Sequence, residues 1–380
     1  MAYHPIDTII DFLEPLSIYE LTGADGSKET QIGRYIDIHE NFFPDVLKAD
    51  IVLVGCGETR GSGKELSDIT APDVIRKEFY SLYQWHKEVT IADAGNIKTG
   101  ATFYDTYAAL RTVVSELLQH NRRVVILGGS HDITLAQYDA YASLNKIIEA
   151  VCVDARIDLN MDSSLPADNF LMAMLTGEPN FTRHYNHIGF QSYLVHPKML
   201  EIIDKLRFDC YRVGKVKEII EEMEPVIRNA ELFSFDISAI QHSNAPANYI
   251  TPNGFTGEEA CMLMQYAGMS PNAGTIGIYG YIPEQDVQNL TAKQISHMLW
   301  YLMDGVWKGK QEAALGDTEN FSEYKLAFAE VETIFLQSKK TGRWWMQLPD
   351  GKYIACSHRD YITASQNEIP ERWMRAMERS

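Results

Sequence analysis

Positive charge is what this chain has least of. Against 52 Asp and Glu stand only 34 Lys and Arg, a formal net charge of −18 over 380 residues. A surface of that sign repels phosphate backbones and anionic lipid headgroups, which excludes nucleic acid and membrane surfaces as general partners. Cysteines are few and scattered. Cys56, Cys152, Cys210, Cys261 and Cys356 form no C-x-x-C pair, so neither a zinc knuckle nor a dithiol redox motif is indicated. Reduced, buried thiols in a cytoplasmic protein are the expectation. No apolar run approaches the ~20 residues that span a bilayer. The first residues carry Asp7, Asp11 and Glu14 and lack the basic start and apolar stretch of a secretory signal. The Gly-x-Ser-x-Gly elbow is missing as well, since Gly129-Ser130-His131 runs on into Asp132. Gly55-Cys56-Gly57 follows an apolar run, but Arg60 stands where a dinucleotide fingerprint needs its third glycine.

What is present is a long alternation of apolar runs and amphipathic stretches. Residues 49–55, 89–92, 123–127, 150–153, 187–189, 231–235 and 275–281 read as buried strands. Between them, residues 72–85, 104–120, 135–144, 197–206, 215–227, 256–266 and 296–306 have helical spacing. Strands alternating with helices predict βαβ units and a three-layer αβα sandwich around a mostly parallel sheet. Residues 1–45 read as an N-terminal extension with a helix from Ile6 to Glu14, and 46–305 as the α/β domain. Residues 306–380 open with a polar stretch at 308–320, expected to be a mobile loop. They end in an aromatic-rich extension expected to pack on the main domain or on a neighbouring subunit.

Three strands end in polar residues. They are Val124-Val-Ile-Leu-Gly-Gly-Ser-His-Asp132, Val151-Cys-Val-Asp-Ala-Arg-Ile-Asp158 and Leu232-Phe-Ser-Phe-Asp-Ile-Ser238. In open parallel sheets ligands bind beyond the carboxyl ends of strands, so His131, Asp154, Asp158 and Asp236 are expected to meet. One imidazole with three carboxylates suits Mn²⁺ or a related first-row ion. Carboxylates held close together need a cation, because each raises the pKa of its neighbours.

These motifs resemble the three signatures of the ureohydrolase superfamily of arginases, agmatinases and formimidoylglutamases, commonly Gly-Gly-Asp-His-Ser, Asp-Ala-His-x-Asp and Ser-x-Asp-x-Asp. Order and spacing agree from about residue 50 to 290, and His187-Ile-Gly-Phe-Gln191 with the long terminal extensions resembles formimidoylglutamase most. The resemblance implies a parallel αβα sandwich, a two-manganese cluster, hydrolysis of guanidino or formimino C–N bonds, and a trimer or hexamer. It further implies substrate contacts at Glu259 and Asn169.

The departures are specific. His131, Asp154, Asp158 and Asp236 match the ligands of one manganese, while Arg156 and Ser238 stand where the second ion's own ligands belong. One Mn²⁺, or none, is therefore expected, with the Arg156 guanidinium in place of the other ion, neutralising Asp154 or Asp236. Asp158, Glu259 and Asp132 are the candidate catalytic groups, Asp132 because it carries a carboxylate two positions from the family's usual one. Two readings follow: a hydrolase of linear amidines, formimidoylglutamate first among them, with a reduced metal site; or an inactive relative that serves in binding or assembly.

Overall fold

The computed structural model describes residues 6–67, 70–328 and 331–379. Ten strands form one sheet: β1 (Leu13–Glu14), β2 (Ile36–Ile38), β3 (Ile51–Gly55), β4 (Ile91–Ile97), β5 (Arg123–Leu127), β6 (Ile148–Val153), β7 (Thr182–Phe190), β8 (Asp209–Arg212), β9 (Leu232–Asp236) and β10 (Thr275–Tyr279). Their order is β1-β4-β3-β5-β10-β9-β6-β7-β8, with β2 also on β4. All neighbours are parallel except β1, which runs antiparallel to β4.

Both faces of this sheet are covered, as continuous apolar strands require. Along β5, Val125 and Leu127 belong to one buried cluster, Val124 and Ile126 to another. The same split separates Val151 and Val153 from Ala150 and Cys152 on β6. Two cores on alternate residues define the helix–sheet–helix sandwich predicted from the sequence. Among the described residues no helix is long and apolar enough to cross a membrane.

Several local expectations are corrected. The N-terminal helix is only Asp7–Ile10, because Leu13 and Glu14 are extended and pair with Ile97 and Asn96 at the sheet edge. The helix read over 215–227 breaks into Val213–Glu218, a 3-10 turn and Met223–Ile227. Ile219 leaves the helical region at φ −150°, and Pro225 fits only the first turn of a new helix. A helix at Pro166–Thr176, begun by its proline, was not anticipated.

The stretch at 308–320 is anchored. The long helix Leu290–Lys310 reaches into it, and the Glu312 carboxylate accepts from Ser338, Thr341 and Arg343. Beyond it β11 (Phe321–Phe328), β12 (Val331–Ser338), β13 (Trp344–Gln347) and β14 (Tyr353–Cys356) form an antiparallel sheet, followed by helices His358–Ser365 and Glu371–Arg379. Its aromatics pack on one another: the Trp344 ring stacks on Tyr324 and Tyr361 at 5.4 and 5.0 Å, and those two rings lie 5.2 Å apart. The sheet packs on the main domain of its own chain. Arg228 donates to the Trp344 carbonyl at 2.7 Å and lies over the Trp345 ring, while Arg343 donates to the Met269 carbonyl at 3.2 Å.

Candidate metal centre and cleft

The strands β5, β10, β9 and β6 lie side by side, so the chain leaving β5 re-enters the sheet only beyond β10 and β9. Such a break in strand order leaves a crevice outside the carboxyl ends. Gly128 and Gly129 turn β5 away from the sheet with φ of +86° and +80°. A Cβ at 129 would meet Ile133 Cδ1 at 2.1 Å and the Cys56 carbonyl at 2.7 Å, so the turn requires glycine. It delivers His131 over the sheet end, just before the helix Ile133–Ser143.

His131 Nδ1 lies 2.9 Å from Asp158 Oδ2, 3.0 Å from Asp154 Oδ2 and 3.9 Å from Asp236 Oδ2. Its other ring nitrogen is 2.9 Å from Ser234 Oγ, which contacts Thr134 Oγ1 at 2.7 Å, and this fixes the ring. One donor atom each of His131, Asp154 and Asp236 falls within 4.8 Å of the others. β10 contributes space rather than a ligand: Gly280, at φ +82°, would place a Cβ 2.5 Å from Asp236 Oδ2.

Burial opposes the charge of every member of this quartet, and the outcome divides them. Asp154 and Asp158 overcome burial at His131 and raise its pKa well above the ordinary imidazole value. Burial also opposes the charge of Asp154, yet His131 and Arg156 hold its carboxyl low. Burial and the Asp154 charge push Asp158 up to about 7 and raise Asp236. The protein's own cations thus do not keep all three carboxylates ionised together. An imidazole nitrogen and carboxylate oxygens converging from three strand ends, short of positive charge, fit one divalent ion of the Mn²⁺ type.

A second ion finds no such set. Ser238 donates its backbone N–H to Asp236 Oδ1 at 2.7 Å and its hydroxyl to Asp154 Oδ1. The expected pairing of Arg156 with Asp154 or Asp236 is not formed. Only the backbone N–H of Arg156 reaches Asp154 Oδ1, at 3.0 Å. Its side chain, 38% exposed, turns outward, and Nη1 lies 3.8 Å from Asp168 Oδ1. Burial opposes the guanidinium charge, but the charges of Asp158, Asp154 and Asp236 raise its pKa and keep it protonated.

Other sequence-predicted residues fall elsewhere. Asp132 is fully buried behind His131, its two oxygens without a hydrogen-bond partner, against Gly61 and Tyr107; it does not line the cleft. Glu259 closes a capping box with Thr256 at 2.7 Å and pairs with Lys217 at 3.0 Å, also outside the cleft. Asn169 donates to the Ser163 carbonyl at 2.7 Å and ties off its loop. Each of these side chains satisfies or abuts local backbone, which spacing alone does not reveal.

The cleft beside the quartet is small, about 50 Å³, and is lined by Thr59, Lys64, Arg156, Asn248 and Tyr249 among others. Lys64 and Tyr249 were missed in the sequence. Lys64 Nζ lies 3.0 Å from the Tyr249 hydroxyl and over its ring. Its signal was its place just after the Gly61-Ser62-Gly63 turn. Arg60, on the same turn, is bound to Glu58 at 2.6 and 2.9 Å. Asn248 donates to the carbonyls of Ser238, Ile240 and Thr251, holding the loop that carries Tyr249. His187, from the motif at 187–191, braces Asp154 through its carbonyl at 3.1 Å.

Comparison with known proteins agrees with this architecture. The profile of the Arginase family matches residues 49–304. A formimidoylglutamase of Streptococcus gordonii is 21% identical over 301 residues, covering 72% of this chain and 89% of the relative. The crystal structure of formimidoylglutamase from Bacillus subtilis superposes with a TM-score of 0.64 at 19% identity, over 74% of this chain and 95% of that one. Trypanosoma cruzi formiminoglutamase, crystallised with Mn²⁺, gives 0.62 at 16% identity over 70% and 99%. At these identities the superpositions establish a shared fold.

Proposed function

The chain belongs to the arginase family, and from that premise we propose that it hydrolyses C–N bonds of linear amidines, with formimidoylglutamate the favoured substrate. The observation that carries this reading is the convergence of His131, Asp154, Asp158 and Asp236 beside a cleft whose two cations are Arg156 and Lys64. His131, Asp154, Asp158 and Asp236 would hold one Mn²⁺, which supplies Lewis acidity toward water at neutral pH.

This chain's residues do the rest. Lys64 and Arg156 match the carboxylates of an acidic amidine. Tyr249 walls the cleft and, bonded to Lys64, sets where that ammonium points. Asn248 keeps the wall fixed. Water adds to the amidine carbon, the bond to the substituted nitrogen breaks, and that nitrogen leaves with a proton. From formimidoylglutamate the products are formamide and glutamate.

A second reading, an inactive relative that binds without turnover, draws support from Ser238, whose hydroxyl is committed to Asp154, and from Arg156 in a ligand's place. Manganese content of the purified protein, measured with formamide release from a panel of amidines, separates the two. Formamide release with bound metal upholds hydrolysis; metal without turnover of any amidine upholds the binding role.

A further inference from the structure

A sizeable cavity lies at the other end of the sheet. It measures about 740 Å³ and is lined by residues at the starts of the central strands, among them Arg123 of β5 and Ile148 of β6, with Glu231 just before β9 and Gly274 just before β10. The metal quartet sits beyond the opposite ends of the same strands, so this cavity takes no part in the chemistry proposed above.

Its charges are unbalanced. Arg122, Arg123, Lys146 and Lys310 line it against Asp50 and Glu231, in a chain whose net charge is −18. Both acids are engaged. Asp50 holds Lys310 at 2.7 Å and the Thr90 N–H at 2.8 Å; Glu231 accepts from the Glu149 N–H at 2.7 Å and faces Arg183 at 3.6 Å. Three of the cations have no such partner. Among the described residues no carboxylate lies within 4.0 Å of Arg122, Arg123 or Lys146. Arg122 donates only to the carbonyls of His120, Leu47 and Ala49, and Arg123 only to those of Ala273 and Ser270. These bonds aim the guanidinium groups without neutralising them. Burial brings the Arg123 pKa down to about 10, and the Asp50 charge opposes this only in part. A cavity of this size holds a small metabolite, and guanidinium forks pair with two-oxygen anions.

We propose that this cavity is a binding site for a small dianion, a phosphate ester or a dicarboxylate, held by Arg122, Arg123 and Lys146. The test is calorimetric titration of the full-length, manganese-loaded protein with sodium phosphate and, separately, disodium succinate. Saturable binding of one equivalent of either is expected; phosphate alone identifies a phosphate ligand, succinate alone a dicarboxylate. Lys146→Glu, at an exposed side chain, is expected to weaken that binding about tenfold, and Arg123→Gln to abolish it. Lys146→Glu carries the test if Arg123→Gln does not fold. No binding of either anion up to about 10 mM overturns the proposal. So does binding that Lys146→Glu leaves unchanged, which would place the anion elsewhere, the metal centre included.

Discussion

Ser238 donates its hydroxyl hydrogen to Oδ1 of Asp154, joining the ends of the adjacent strands β9 and β6. The same carboxylate presents Oδ2 to His131, so one oxygen serves the metal quartet and the other is occupied. A second ion would have to displace a hydrogen bond and offers itself to a serine and an arginine, of which the arginine cannot coordinate at all.

Metal content follows from this. Protein grown with manganese is expected to carry about one ion per chain by elemental analysis, and Asp236→Asn to lose it. The double substitution Arg156→His with Ser238→Asp is expected to bring the count to about two. Two tightly held ions in the unaltered protein would sink the single-ion reading.

Glu259 caps its own helix through Thr256. Glu259→Ala is expected to cost about 1 kcal/mol of stability through the lost capping box, read as a lower thermal midpoint, while KM stays unchanged. A KM raised tenfold by this change would return Glu259 to the substrate site.

Lys64 is expected to act on the acidic end of the substrate. Lys64→Ala should raise KM for formimidoylglutamate about tenfold with kcat nearly constant, and leave an amidine without a carboxylate, such as formamidine, unaffected. Equal losses on both substrates would show that Lys64 holds the loop and not the ligand.

Asp132 is a buried carboxylate with two unpartnered oxygens beside the equally unpartnered Tyr107 hydroxyl. Asp132→Asn keeps the shape and supplies an amide N–H that can donate to Tyr107. It is expected to stabilise the fold by about 1–3 kcal/mol, measured by denaturant unfolding, with turnover retained. A collapse of kcat would restore Asp132 as a base.

Glu312 makes the C-terminal sheet acid-sensitive. Burial opposes its charge, but Ser338, Thr341 and Arg343 hold its carboxyl below the ordinary glutamate value. A depressed folded pKa gives stability that is complete above the unfolded value, about 4.5, and is lost as pH falls through the folded one. Fluorescence of the buried Trp344 and Trp345 is expected to change as pH falls below the ordinary glutamate value, and Glu312→Gln to remove that step. An identical acid transition in the variant would place the weakness elsewhere.

The alternation of apolar runs made the sandwich legible, because strands covered on both faces cannot hide their composition. His131, Asp154, Asp158 and Asp236 were legible for a related reason: each lies at or shortly after the carboxyl end of a strand, so topology helps to bring them together. Arg156 was misplaced because the backbone, not the side chain, reaches Asp154. Glu259 and Asn169 form a helix cap and a loop tie, which use the residue types that binding sites use, so spacing does not separate the two roles. Lys64 and Tyr249 meet across 185 residues of sequence, a contact no local pattern announces.

Gly280 gives the candidate metal centre a steric lock that involves no ligand. Three strands bring donor atoms, while β10 brings only the room in which Asp236 turns. Gly280→Ala would drive a methyl group into Asp236 at a backbone angle that alanine resists. Every donor atom would stay in the chain while the seat itself closed, so the candidate centre rests on clearance as much as on donor chemistry.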